Sequence, residues 1–164
     1  MKITGRVWKY GDSINTDVIF PGKYTYTLTD PKEMAAVALE DLDERFADEV
    51  QPNDIIVGGK NFGCGSSREQ AASCLKFAGV GAVIAKSFSR IYFRNCINFG
   101  LPALTSAKAV DAIENGETIT IDMDAGTIEC KAGTFNFPPL PEAVVSIFED
   151  GGLIPHTKKM LGTE

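Results

Sequence analysis

Apolar and polar residues alternate along ITGRVWKYG, residues 3–11, and a period of two predicts a strand. GDSINTDVIFPGKY, residues 11–24, has no period and is rich in turn formers, so it predicts irregular chain. Asp30-Pro31 then reads as a helix start, with aspartate as cap and proline at the first helical position. Along PKEMAAVALEDLDERFADEV, residues 31–50, helical spacing puts Met34, Val37, Ala38, Leu42 and Phe46 on one side. Pro52-Asn53-Asp54 breaks that pattern, and the short apolar run Asp54–Gly58 fits a buried strand.

A second helix is expected from Ser67, with Ala71, Ala72, Cys74, Leu75 and Ala78 as its apolar stripe and Gly79 as its C-terminal cap. Gly81–Ala85 predicts a buried strand, Phe88–Phe99 a helix ended by Gly100, and Leu101–Leu104 another short strand. Beyond a short helix over 107–114, Ile119, Ile121 and Met123 alternate in a strand. Asp124-Ala-Gly126 turns it into a hairpin with Thr127–Cys130. Pro138, Pro139 and Pro141 interrupt, and a last helix covers 141–150, closed by Gly151-Gly152. Strands and helices alternate in the middle with hairpins outside, which predicts one α/β layered domain with a mixed sheet over residues 1–164, plus a short C-terminal tail.

Composition narrows the classes. With 164 residues and 44% hydrophobic content, the chain can bury a real core. A formal net charge of −6 and a pI near 4.9 argue against a nucleic-acid partner. MKITGRVWKYGD lacks the apolar stretch of a signal peptide, and no run reaches the roughly 18 apolar residues of a membrane span. A soluble, cytoplasmic protein is the expectation. Cys64, Cys74, Cys96 and Cys130 are widely spaced without a CxxC, so no metal site is signalled. They read as reduced thiols, buried at 74, 96 and 130, with Cys64 a small space-filler in a loop.

That loop concentrates the chemistry. GGKNFGCGSSREQAA, residues 58–72, follows a predicted strand and runs into a predicted helix, with four glycines in its first eight residues. Backbone N–H groups at a helix start, together with the helix dipole, favour an anion there. Arg68 adds a planar two-pronged donor for carboxylate or phosphate. The segment has neither the Lys-Ser/Thr ending of a phosphate loop nor the GxGxxG spacing of a dinucleotide fold. No GxSxG elbow is present, and the sole histidine, His156, reads as incidental. Ser66 or Ser67 could serve only as a helix cap, with Glu69 completing a capping arrangement. A cap needs one of these residues, however, not the whole run.

NFGCGSSREQAA, residues 61–72, closely resembles the GxGSSRE signature of the aconitase superfamily's C-terminal swivelling domain. More narrowly, the chain looks like the free-standing small subunits of the isopropylmalate dehydratases. GDSINTDVIFPGKY, AKSFSRIYFRNCINFGLP and GGLIPHTKK resemble other segments of that family in the same order, so the likeness spans nearly the whole chain.

The resemblance implies a layered β/β/α swivelling domain and a hydro-lyase subunit that works only with its large subunit. The reaction implied moves a hydroxyl between adjacent carbons of a 2-hydroxy dicarboxylic acid, as from 2- to 3-isopropylmalate in leucine biosynthesis. The 4Fe-4S cluster, a Lewis acid, is expected on the large subunit, and this chain is expected to bind no cofactor or metal.

By the same resemblance Ser66 is the catalytic base, acting as alkoxide with loop N–H donors to stabilise it, and Asp17 is an active-site carboxylate. Ser67, Arg68 and Gly65 are expected to hold a substrate carboxylate, and Tyr24 and Tyr26 to read the substrate's variable group. The segment Tyr24-Thr25-Tyr26-Thr27-Leu28 has no arginine, which argues against a third carboxylate and hence against homoaconitate. Dimethylmalate and methylmalate-type substrates stay open, as does a non-catalytic anion-binding module.

Overall fold

The structure, a computed structural model, describes residues 1–163, and among them seven strands form one sheet. Its centre is β1 (Lys2–Lys9). On one side β2 (Ile55–Val57), β3 (Ala82–Ala85) and β4 (Ala103–Thr105) follow in parallel. On the other, β5 (Thr118–Asp122), β6 (Thr127–Cys130) and β7 (Gly133–Asn136) run antiparallel, giving the order β4-β3-β2-β1-β5-β6-β7. This is the mixed α/β sheet the sequence predicts, with β7 as an addition to the expected hairpin.

Parallel neighbours need crossovers, and helices supply them. Between β1 and β2 lie α1 (Thr16–Ile19), a 3-10 turn over Gly22–Tyr24, α2 (Pro31–Ala36) and α3 (Phe46–Glu49). The chain returns through α4 (Gln70–Phe77) to β3 and through α5 (Arg90–Asn98) to β4. After α6 (Ala107–Ala112) and the three antiparallel strands come α7 (Glu142–Glu149) and α8 (Leu153–Leu161). The expected tail is therefore helical.

Strand alternation separates two cores. Trp8, Ile56, Val83 and Ala85 face a cluster with Phe20, Leu75, Tyr92 and Cys96 beneath α4 and α5. Their neighbours Val7, Ile55, Val57 and Ile84 point to the opposite face and meet Ile119, Ile121, Ile128, Val110 and Phe148. The second cluster is closed by the antiparallel half of the sheet with α6 and α7, which is the β/β/α layering. A slip of one residue at Trp8↔Ile56 would exchange the two faces, so burial on both sides holds the register.

The long helix expected over 31–50 is broken. Asp30 caps α2 as predicted, accepting from the N–H groups of Lys32 and Glu33, but α2 ends at Ala36. Leu39 takes a left-handed φ of 57° and donates its N–H to the Ile19 carbonyl at 2.8 Å. Its side chain is fully buried. Docking on α1 satisfies both the backbone and the side chain, and this outweighs helix continuation. Helix α4 likewise begins three residues later than expected. Its N-cap is Glu69 without a side-chain bond, so neither Ser66 nor Ser67 is the cap and no capping box forms. Ser89 does cap α5. Cys130, expected buried, is only half-buried at the end of β6, whereas Cys74 and Cys96 lie fully inside.

Asp54, just before β2, is a buried carboxylate bonded to β1 and to the turn that precedes it. It accepts from the Trp8 indole at 2.9 Å, the Gln51 N–H at 3.0 Å and Arg6 Nη2 at 3.3 Å. Asp54→Ala would leave the buried Trp8 indole N–H without an acceptor and Arg6 with only the Glu49 carbonyl, which costs about 2 kcal/mol. Urea unfolding of the isolated chain should register that loss, and a change below about 1 kcal/mol would refute the account.

Candidate active site

Three adjacent parallel strands, β1, β2 and β3, end on the same side of the sheet. The segments that leave them are residues 10–16, 58–69 and 86–89. Open α/β sheets bind ligands at such carboxyl ends. Here the three segments are joined by backbone bonds. Gly59 N–H donates to the Gly11 carbonyl at 2.9 Å, Ser13 to Lys60 at 2.8 Å, Gly63 to Ile14 at 2.7 Å and Thr16 to Cys64 at 2.9 Å. From the other side Phe62 N–H reaches the Ser87 carbonyl at 3.0 Å, and Ser89 N–H reaches that of Phe62 at 2.9 Å. The glycine-rich loop is thus held like a short strand between two neighbours.

Two side chains pin it further. The Thr16 hydroxyl, 2% exposed, donates to the Ser66 carbonyl at 2.7 Å. The Ser89 hydroxyl donates to the Gly63 carbonyl at 2.7 Å. Gly63 has φ +79°, and a Cβ there would lie 2.1 Å from Tyr92 Cγ. Gly65, at φ +92°, turns the chain outward. Ser66 and Ser67 follow and are both exposed. Among the described residues the backbone N–H groups of Ser66, Ser67, Arg68 and Glu69 have no protein acceptor. They lie in the loop that leads into α4, on the side of that helix's positive dipole end.

Asp17 lies in the first turn of α1, which Asn15 caps by accepting from the Val18 N–H at 3.0 Å. Its Oδ1 meets Arg68 Nη2 at 2.7 Å, so the structure brings together the aspartate and arginine singled out 51 residues apart. Arg68 Nη1 donates to Thr25 Oγ1 at 2.7 Å, while Nε is buried without a partner among the described residues. The two tyrosines differ. Tyr24 is half-buried, and its hydroxyl donates to Glu40 Oε1 at 3.2 Å. Tyr26 is 96% exposed.

Thr16, Ser89 and Thr25 escaped sequence reading as site residues. Thr16 stood inside a noted segment, and Ser89 at a predicted helix start. Thr25 also stood inside a noted segment, but its role was not readable because its partner is 43 residues away.

Between the serines and α5 the surface dips into a cleft of about 10 Å³, lined by Thr16, Gly65, Ser66, Arg68, Ile91 and Asn95 among others. That is room for about one water molecule, far too little to enclose a dicarboxylate. The arrangement is an open wall: a serine pair, unpaired N–H donors and a guanidinium–carboxylate pair facing outward. It could present a base and grip a carboxylate, but by itself it does not enclose a ligand.

The thiols do not supply a metal wall. Burial pushes the Cys96 thiol up to about 12 and raises Cys74 as well, so both stay protonated inside the core. Cys64 and Cys130 are half-buried and lie on unrelated segments. Among the described residues no group of three or more His, Cys, Asp or Glu is arranged to hold a metal ion. An iron–sulfur cluster, with its need for several thiolates at one point, does not fit this chain's own residues. Among the same residues no helix is long and apolar enough to cross a membrane.

Residues 11–109 match the aconitase C-terminal domain family, a stretch that contains every residue of the wall just described. A protein named 3-isopropylmalate dehydratase small subunit, from Thermodesulfovibrio yellowstonii, is 46% identical over 100% of this chain and 98% of its own length. One of the same name from Nautilia profundicola is 50% identical over 97% of this chain and 96% of its own. The crystal structure of 3-isopropylmalate dehydratase from Methanocaldococcus jannaschii superposes with a TM-score of 0.91 at 42% identity, covering 98% of this chain and 96% of that one.

Proposed function

The chain belongs to the aconitase C-terminal domain family, and from that premise we propose that it is the small subunit of a 3-isopropylmalate dehydratase, a hydro-lyase. Residues 1–164 act as one swivelling domain that closes over a large subunit. The observation that carries this reading is the half-built site. Ser66 and Ser67 are exposed and Arg68 is partly exposed beside unpaired N–H groups, with a cleft too small to hold a substrate. The missing wall, with its 4Fe-4S cluster, belongs to the large subunit, where the cluster supplies Lewis-acid help to the departing hydroxyl.

This chain's residues perform the proton half of the reaction. Ser66 Oγ takes the carbon-bound proton next to the carbon that bears the hydroxyl, and returns a proton in the reverse sense during rehydration. A serine hydroxyl is far too weakly acidic to do this unaided. The unpaired N–H groups of the loop before α4 and the Arg68 cation lower the free energy of the alkoxide in a water-poor closed site. Arg68 and Ser67 hold a substrate carboxylate, which sets the carbon acid against Ser66. Gly65 leaves space for the substrate beside the serine. Asp17 neutralises and orients Arg68 through its 2.7 Å contact with Nη2.

Tyr24, anchored on Glu40, and the exposed Tyr26 form the segment that meets the substrate's variable group. With no arginine in residues 24–28, an alkyl substituent suits it better than a third carboxylate. The assembled enzyme should therefore turn over 2-isopropylmalate with kcat/KM at least about 100-fold above that for a homocitrate-type tricarboxylate. The chain alone should be colourless and inert. Preference for the tricarboxylate would reverse the substrate assignment, and preference for 2,3-dimethylmalate would shift it within the alkyl class. Failure to bind or activate any cluster-bearing large subunit would favour a non-catalytic anion-binding module.

A further inference from the structure

Arg68 carries five N–H donors in one plane, and the structure accounts for only two of them. Nη2 is paired with Asp17, and Nη1 donates to the Thr25 hydroxyl. The proton of that hydroxyl is already committed, because Thr25 Oγ1 donates to the Gly22 carbonyl at 2.8 Å. Its lone pairs are what remain for the guanidinium, so the contact is a directed, charge-assisted bond. Gly22 closes in alongside: a Cβ there would sit 3.0 Å from Nη1 and 3.2 Å from Nη2. The 3-10 turn Gly22–Tyr24 thus rests on the guanidinium, with Thr25 as the tie and Tyr26 as the next residue.

We infer that Thr25 is a positioning residue, whose hydroxyl locks the Arg68 guanidinium to the turn that carries Tyr26 and so sets the plane that receives the substrate carboxylate. The inference rests on the reading of Arg68 as the carboxylate donor. An arginine on a free stem must give up rotamer freedom when a carboxylate arrives, whereas one held at both Nη atoms has already done so. Each Nη keeps a second N–H for the carboxylate, while Nε–H is buried. The tie also works in the other direction, since the turn's position reports where the guanidinium stands. No motif marks Thr25. It is identified only by the bond to Arg68 and the turn over it.

Thr25→Val keeps the volume and removes the hydroxyl, and Thr25→Ser restores it. Both variants, with Arg68→Ala in parallel, are assembled with the large subunit and assayed for KM and kcat on 2-isopropylmalate. For Thr25→Val, KM should rise on the order of 10-fold, as expected for a lost bond to a charged group, with kcat within about twofold. Thr25→Ser should return KM to within about threefold of the parent. A KM for Thr25→Val equal to the parent's would overturn the positioning role, and so would a serine variant as impaired as the valine one. Arg68→Ala separates the two layers. If it also leaves KM unchanged, the carboxylate reading itself falls; if it raises KM while Thr25→Val does not, only the role of Thr25 falls.

Discussion

Ser66→Ala, assembled with its large subunit, should lose about 10³-fold in kcat, within the 10² to 10⁴ range that general-base removal produces, while KM stays within about threefold. The split follows from geometry. Ser66 is exposed and bonded to the fold through its carbonyl, which accepts from Thr16, and that bond survives in alanine. The proposed grip on the carboxylate lies in Arg68 and Ser67, which the variant retains. Substrate should therefore bind almost normally and wait for a base that is no longer there. The melting point of the isolated chain should not move, because the side chain packs against nothing that alanine would leave empty. Steady-state kinetics on 2-isopropylmalate, together with solvent-proton exchange at the acidic carbon, measure this directly. Unimpaired kcat and exchange would move the base to another group on either subunit.

Gly63→Ala should destabilise the fold by about 4 kcal/mol, combining roughly 1 kcal/mol for the left-handed backbone with up to about 3 for overpacking. The added Cβ would stand 2.1 Å from Tyr92 Cγ and 2.4 Å from its Cβ, so no rotation of the ring relieves the clash. Nor can Tyr92 retreat. It is 1% exposed, its hydroxyl donates to the Ala71 carbonyl at 3.0 Å, and Phe62 packs on it at 5.6 Å between ring centres. Relief must come from the backbone, which would break the Gly63–Ile14 and Ser89–Gly63 bonds that hold Ser66 in place. Gly11→Ala, with nothing within 4 Å of the added methyl and no left-handed φ, should change stability by less than about 0.5 kcal/mol. Urea denaturation of the two variants side by side checks both numbers, and equal values would remove the steric account.

Legibility in the sequence tracked how local the determining force was. The strands were readable because one period of two, as in Ile119, Ile121 and Met123, already states which face is buried. The cap at Asp30 was readable because its partners are two and three residues away. The helix over 31–50 was misread because its break depends on Ile19, twenty residues before Leu39, offering a carbonyl at the right place. The serines looked like caps by local chemistry, yet further loop residues intervene before α4 begins. Local rules failed there because the loop is held from both sides by strand-like bonds to residues 11–16 and 86–89.

The sequence by itself determined the fold class, the glycine-rich loop after the second strand and the serine–arginine group within it. Those properties belong to short stretches, where residue type, spacing and backbone preference act together. Only the tertiary structure decided that Asp17 and Thr25 share one guanidinium, that Thr16 and Ser89 fasten the loop, and that Tyr24 is anchored while Tyr26 is free. Each of these needs parallel strands to bring distant segments to one end of the sheet, and no local preference specifies which side chains will meet there.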